Sequence, residues 1–416
     1  MIWACKGGKT ETVEYLVSQG FNVNEKDNEG RNGLHWAADN CNLPLVKFLI
    51  TNGIDYEHKS NNSETAFLIS TTHNSKELVE YLVELNIDIN EVDNNGRNGL
   101  IKAASIDQKE IVQLLINKGI NLNQQDDDGK NALLTSLNML YKEVALLLIR
   151  NGINVNSKDN RGKSALHYHS LDKEIVELLL EKGADINARD NEGKSALFYA
   201  RNIELIEYLI QKGIEKNVIS NDGKTALHEA CDSYYTNVEV IQTLLSNGIG
   251  INVKDGEGRS ALIISSRNGQ LEFVECLINN GFDINDQDNE GQTALFWAAR
   301  FYYIELIKLL IDRCIDITIK NQQDQSAFLF ACVGGSIDVI SLLIERGFNI
   351  NERDIDGNNG LHIAAQLGNK DLIEFLIGKG LDVNIQNNEG KTAFDIATEK
   401  DYTNVVDFLK EIKIKE

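Results

Sequence analysis

The feature that most constrains this chain is a glycine that returns, with few exceptions, every 33 residues. It stands at Gly30, Gly96, Gly129, Gly162, Gly193, Gly223, Gly258, Gly291, Gly357 and Gly390, and Ser63 and Asp324 fill the two phases it skips. The steps after Gly162, Gly193 and Gly223 are 31, 30 and 35 residues. A second series, Gly20, Gly53, Gly119, Gly152, Gly183, Gly213, Gly248, Gly281, Gly347 and Gly380, has Asn86 and Cys314 as its substitutes and the same irregular steps. Two markers that share their irregularities fix one register. A chain of 416 residues would otherwise divide into two or three globular domains; this one reads as an array of one small unit.

Within each period the order of signals is constant. Two residues after the turn glycine comes Asn32, Thr65, Asn98, Asn131, Ser164, Ser195, Thr225, Ser260, Thr293, Ser326, Asn359 or Thr392. These residue types start helices best, because a side-chain oxygen accepts a backbone N–H of the first turn. A short helix of the type "GLHIAA" is predicted, then a second whose apolar residues recur at helical spacing, as in "LVKFLI" and "IVQLLI". The second glycine stops it in the left-handed conformation that helix ends favour. An extended piece such as "ADINARDNEG" leads back to the turn. A pair of helices this short cannot bury its apolar face alone, so neighbouring units have to stack and share a core.

These signals resemble the ankyrin repeat, with its 33-residue period, two helices and Thr-Pro-Leu-His signature. Here the signature reads "TALH" at 225–228, "SALH" at 164–167 and "NGLH" at 32–35 and 359–362, with Ala or Gly at the family's proline. The resemblance implies an all-α solenoid of stacked helix-turn-helix units joined by β-hairpin-like loops. The expected organisation is a single solenoid over 1–416, with a partial unit at 1–29, eleven full units at 30–389 and a capping unit at 390–416 that closes with the charged "KEIKIKE". "MIWAC" begins inside a first helix and leaves Trp3 with no upstream copy, so residues upstream or a partner are expected to cover that end.

The stretch "KDNEGRNGLHWAA" at 26–38 offers Asp27, Glu29, Arg31 and His35, the raw material of acid–base catalysis. It is one copy of the repeat. His35 recurs as His167, His228 and His362, but Phe198, Phe296, Ile101 and Ile263 replace it elsewhere, which a catalytic base would not tolerate. The resemblance implies a structural histidine bridging neighbouring loops. Asp27 and its counterparts Asp93, Asp126, Asp159, Asp190, Asp255, Asp288 and Asp354 head turns, where a carboxylate bonds backbone N–H groups two residues on. The asparagines four residues after the helix-ending glycine, such as Asn24 and Asn90, are expected to bond loop backbone, and family resemblance adds hydroxylation as a modification. His58, His73 and His169 stand alone. No phosphate loop, nucleophile elbow or metal-binding motif appears, so no catalytic, cofactor or metal residue is assigned.

With 41 Lys and Arg against 63 Asp and Glu, the net charge of −22 disfavours nucleic acid and anionic membranes and favours basic protein partners. No secretion signal or membrane span is visible. The six cysteines are scattered, and Cys5, Cys231 and Cys332 read as small buried hydrophobes of a reducing compartment, cytoplasmic or nuclear.

A non-enzymatic scaffold or adaptor is therefore expected, probed by basic or extended protein partners along the face of turn tips and first helices, and monomeric. The alternative is a substrate-recruiting region of a larger enzyme or channel. The candidate partner-binding residues are the tip charges Arg31, Asp127 and Asp128 and the apolar excess that follows three first helices: Met139 and Tyr141, Tyr234 and Tyr235, and Phe301, Tyr302 and Tyr303. Those rings are either interface hot spots or fillers between units of unequal length. Trp36, Trp297, Tyr168 and Tyr199 are expected in the core.

Overall fold

The computed structural model describes residues 1–168 and 171–415, with side chains described through residue 412; His169, Glu416 and the side chains of the last residues of the charged closing stretch lie outside what is described. The chain divides into two compact units, Met1–Glu215 and Lys216–Glu416. In both, short helices alternate in pairs, as in Gly33–Asp39 with Leu43–Thr51 and Ala261–Arg267 with Leu271–Asn279. Among the described residues there is no strand; the loops are hairpin-like, and Lys26 and Asn32 form one isolated antiparallel bridge.

Local chemistry sets each boundary. All twelve Asn, Ser and Thr starters occupy N-cap positions with extended backbone. Asn98 Oδ1, for example, accepts from Ile101 N at 3.0 Å, and its Nδ2 donates to Asn121 O in the next loop at 3.1 Å. Asn32 and Asn131 make the same double contact, which a serine hydroxyl is too short to make. Ser195, Ser260 and Thr293 hold the position without a side-chain cap bond. At the other boundary every marker glycine of both series has positive φ, and so do all four substitutes: Ser63 at 56°, Asn86 at 58°, Cys314 at 62° and Asp324 at 58°.

The core is built from both helices of each pair. The first helix Gly99–Ala104 is buried along its whole length because other first helices flank it, packing against Ala66–Ser70 and Ala132–Asn138. The second helix Lys109–Asn117 buries Ile111, Val112, Leu114 and Leu115 and leaves Lys109, Glu110 and Asn117 in solvent. Four buried aliphatic side chains at roughly 1.5–3 kcal/mol each outweigh the marginal propensity of a nine-residue helix.

Backbone bonds stitch successive turns. Asn61 N donates to Glu29 O at 2.9 Å, Asn94 N to Asn62 O at 3.0 Å and Asp127 N to Asn95 O at 3.0 Å. In Lys216–Glu416, Gly256 N reaches Asp222 O at 2.7 Å and Asn289 N reaches Glu257 O at 2.9 Å. The loop asparagines bond backbone as expected, but the backbone of the following unit: Asn24 Oδ1 accepts from Asp55 N, Asn90 from Asn121 N and Asn285 from Asp316 N, each at 2.7 Å.

The irregular units show where residues were lost and gained. After Ser164 the first helix shrinks to one 3-10 turn, Ala165–His167, and after Ser195 to Ala196–Tyr199; Tyr168 and Ala200 then turn extended. The 35-residue unit keeps a full helix, Ala226–Asp232, and places its extra residues in the following loop with Tyr234 and Tyr235.

Candidate interaction face

The turn carboxylates bond backbone N–H groups both two and four residues on. Asp27 Oδ1 accepts from Glu29 N and Arg31 N, each at 2.9 Å, and Asp288 Oδ1 from Glu290 N at 3.0 Å and Gln292 N at 2.8 Å. Asn321 and Asn387 do the same work with an amide oxygen, so the position needs an acceptor and not a charge. Burial pushes the Asp27 carboxyl up, and the Arg31 N–H, the Trp36 indole and the Glu29 N–H together bring it below the ordinary 3.8.

The second oxygen of the turn carboxylate receives an aromatic donor. Trp36 Nε1 donates to Asp27 Oδ2 at 2.9 Å, Tyr199 OH to Asp190 Oδ2 at 2.5 Å, and Tyr168 OH and Trp297 Nε1 reach Asp159 and Asp288 at 3.4 Å. These bonds place the side chain four residues after each cap on the same face as the turn. Of the four aromatics expected in the core, Tyr168 is buried, while Trp36, Tyr199 and Trp297 are half-buried, with one edge tied to the turn and a ring face left for neighbours. Cations take that face: Lys6 Nζ lies 4.5 Å and Arg31 5.0 Å from the Trp36 ring centre, Lys163 4.2 Å from Tyr199, and Arg267 5.3 Å from Trp297.

The recurrent imidazoles are structural. Ser164 N donates to His167 Nδ1 at 3.1 Å, which leaves Nε2 protonated to donate to Lys194 O in the next turn at 3.2 Å. His35 Nε2 reaches Glu64 O at 2.9 Å and His362 Nε2 reaches Lys391 O at 3.0 Å. Burial lowers the pKa of His35 to about 4 and depresses His167, His228 and His362 as well. The lone histidines also find partners: His58 Nε2 contacts Gly30 O at 2.8 Å, and His73 Nε2 lies 3.7 Å from Asp39. Cys5, Cys231 and Cys332 are fully buried, and burial raises their thiols, Cys5 to about 11 and Cys231 to about 12.

The candidate partner-binding residues separate by unit. In Met1–Glu215, Arg31 is held between Glu29 at 3.4 Å, Glu64 at 3.6 Å and the Trp36 ring. Lys102, almost fully buried, joins Glu64 at 2.7 Å and Asp93 at 3.6 Å in the same network, which sequence reading did not find. Asp127 and Asp128 sit exposed at a tip, Asp128 3.2 Å from Lys130 Nζ. Met139 is exposed and Tyr141 half-buried at the N-cap of Lys142–Arg150; between them Leu140 takes φ 66°.

In Lys216–Glu416, Tyr234 and Tyr235 are the most exposed large rings, at 86% and 90%. Phe301 and Tyr303 come together instead. Phe301 stacks on Trp297 with centres 6.0 Å apart, Tyr303 lies 6.2 Å from Phe301, and the Tyr303 ring occupies the space a Cβ on Gly269 would need. Tyr302 donates its hydroxyl to Gly334 O. Phe330 and Trp297 pack nearly perpendicular with centres 6.2 Å apart, and Arg300 lies over Phe330 at 5.3 Å. Arg267, Trp297, Arg300 and Phe330 were not among the residues singled out for binding. Their signal is present in the sequence as a cation seven residues after one cap followed by an aromatic four residues after the next.

Among the described residues no cluster of His, Cys, Asp and Glu has metal-binding proximity, and no helix is long and apolar enough to cross a membrane. No curated protein matches the chain. The family profile described as ankyrin repeats, three copies per match, fits residues 1–60, 67–159, 100–190, 135–220, 166–255, 227–321, 305–387 and 328–416. Such repeats are protein-interaction modules and typically not catalysts. Overlapping matches along almost all of its length, with the caps, left-handed stops and histidine bridges described above, show that this chain belongs to the ankyrin-repeat family.

Proposed function

We propose that this protein is a non-enzymatic adaptor or scaffold that holds partner proteins on the face shared by its turn tips and first helices, acting as a monomer in the cytoplasm or nucleus. The observation that carries this reading is how the reactive groups of each repeat are used. Turn carboxylates are consumed by bonds within their own turns, and the imidazoles of His35, His167 and His362 and the loop amides by bonds that align one repeat with the next. What remains outward on that face is half-buried aromatic rings with cations on them, the residue types that dominate protein interfaces. Buried free thiols suit a reducing compartment.

A photo-crosslinking residue placed at Phe301 tests this, with the same residue at Glu272, exposed on the second helix Leu271–Asn279, as control. Expressed in cells, the Phe301 form should yield discrete protein adducts that the Glu272 form lacks. Equal labelling at both positions, or adducts at neither, would remove the reading.

A further inference from the structure

We infer that Arg267 and Arg300 form a docking point for a carboxylate-bearing segment of a partner protein, a proposal that rests on the interaction reading above. Both guanidiniums end first helices of adjacent repeats, Ala261–Arg267 and Ala294–Arg300. Each lies over a ring of the next repeat, Arg267 over Trp297 and Arg300 over Phe330, both at 5.3 Å. Among the described residues no carboxylate comes within 4.0 Å of either. Of the four other arginines of the same unit, Arg259, Arg313 and Arg346 each hold one, at 2.8, 2.7 and 2.7 Å, and Arg353 donates to the Gln386 carbonyl at 3.2 Å. What distinguishes Arg267 and Arg300, in a chain of net charge −22, is that two guanidiniums on adjacent repeats both lie on rings and neither meets a carboxylate.

Stacking occupies the face of a guanidinium and leaves its edge donors, which match a carboxylate in bidentate fashion. The surroundings are apolar: the Trp297–Phe301 stack, the half-buried Phe330 ring and the exposed part of Phe301. The fitting occupant therefore carries an aspartate or glutamate beside an aromatic or aliphatic side chain. A phosphate backbone suits the site poorly, because the chain's net charge opposes a polyanion and the turns that precede the two helices carry Glu257 and Glu290. A last-turn cation also complements the helix dipole, and that role shows in stability rather than in binding.

The test selects peptides of about twelve residues from a random displayed library on the full chain and measures them against wild type and R267Q/R300Q. The expected result is selected peptides with Asp or Glu next to an apolar residue, bound about tenfold more weakly by the variant, a loss of about 1.4 kcal/mol, while the variant stays fully folded at the assay temperature by circular dichroism. Peptides that lack carboxylates, or that bind the variant equally well, overturn the inference and leave the interaction reading standing. Displacement by inorganic phosphate at about 1 mM overturns it in favour of a phosphate site. Self-association that disappears in R267Q/R300Q overturns it in favour of a second copy of this chain. Enrichment of no peptide above the empty support overturns both readings.

Discussion

Cys314 ends the helix Ile304–Asp312 one residue beyond its C-cap at a φ of 62°, where most units place glycine, and the left-handed conformation costs a residue with a Cβ about 1–2 kcal/mol. Its side chain is exposed, so removing it loses little packing. Cys314→Gly is expected to stabilise the protein by about 1 kcal/mol, read as a higher urea midpoint; an unchanged or lower midpoint would contradict the left-handed assignment. The same phase argument identified Ser63, Asn86, Cys314 and Asp324 from sequence alone, because a period fixes backbone conformation even where the residue type does not announce it. Titration is also a residue-scale property. His35, His167, His228 and His362 are held below their ordinary 6.5, first by burial, so the unfolded chain binds protons that the folded chain refuses. Their contribution to stability is complete above about 6.5 and is lost as pH falls toward about 4, the value for His35. Carboxylates such as Asp27 and Asp93, held below 3.8, act only at still lower pH. Urea midpoints measured from pH 7.5 to 4.5 should fall for wild type and fall less for His362→Phe, since phenylalanine already serves this position at Phe198 and Phe296. Identical pH slopes would exclude the imidazoles as the source.

At the scale of the element, the turn is held by one acceptor. Asp288 takes Glu290 N, Gln292 N and Trp297 Nε1, so Asp288→Ala strands three donors and is expected to cost about 2 kcal/mol. Asp288→Asn should cost far less, as Asn321 and Asn387 show the amide doing the same work. Equal losses in the two variants, by chemical denaturation, would mean that charge and not geometry holds the turn. Caps, stops and turns were legible because each is decided within about five residues of chain. The truncated first helices at Ala165–His167 and Ala196–Tyr199 were visible only as short steps: a deletion reports how many residues are missing, not which helix gives them up. The aromatic–cation pairs escaped notice for the opposite reason. Arg267 and Trp297 are 30 residues apart, and their contact follows only once the stacking of adjacent first helices is known.

At the scale of the molecule, each compact unit is a sum of nearest-neighbour seams, so damage at one seam should spread by decreasing steps and not all at once. Gly258 offers a clean place to injure one. Its φ of 76° already disfavours a side chain, and an added Cβ would come 2.7 Å from Asn289 N, the donor that stitches this turn to the next through Glu257 O. Gly258→Ala should therefore strain the backbone and push the two turns apart. In native-state hydrogen exchange, the helices flanking that seam, Ala261–Arg267 and Ala294–Arg300, are expected to lose protection most. Ala327–Gly334 should lose less, and Gly360–Gln366 less again. A globular domain of the same size would answer differently, because contacts distant in sequence tie every element to one cooperative transition. Equal loss of protection across all four helices would show that Lys216–Glu416 opens as a single block, and would deny its seam-by-seam construction.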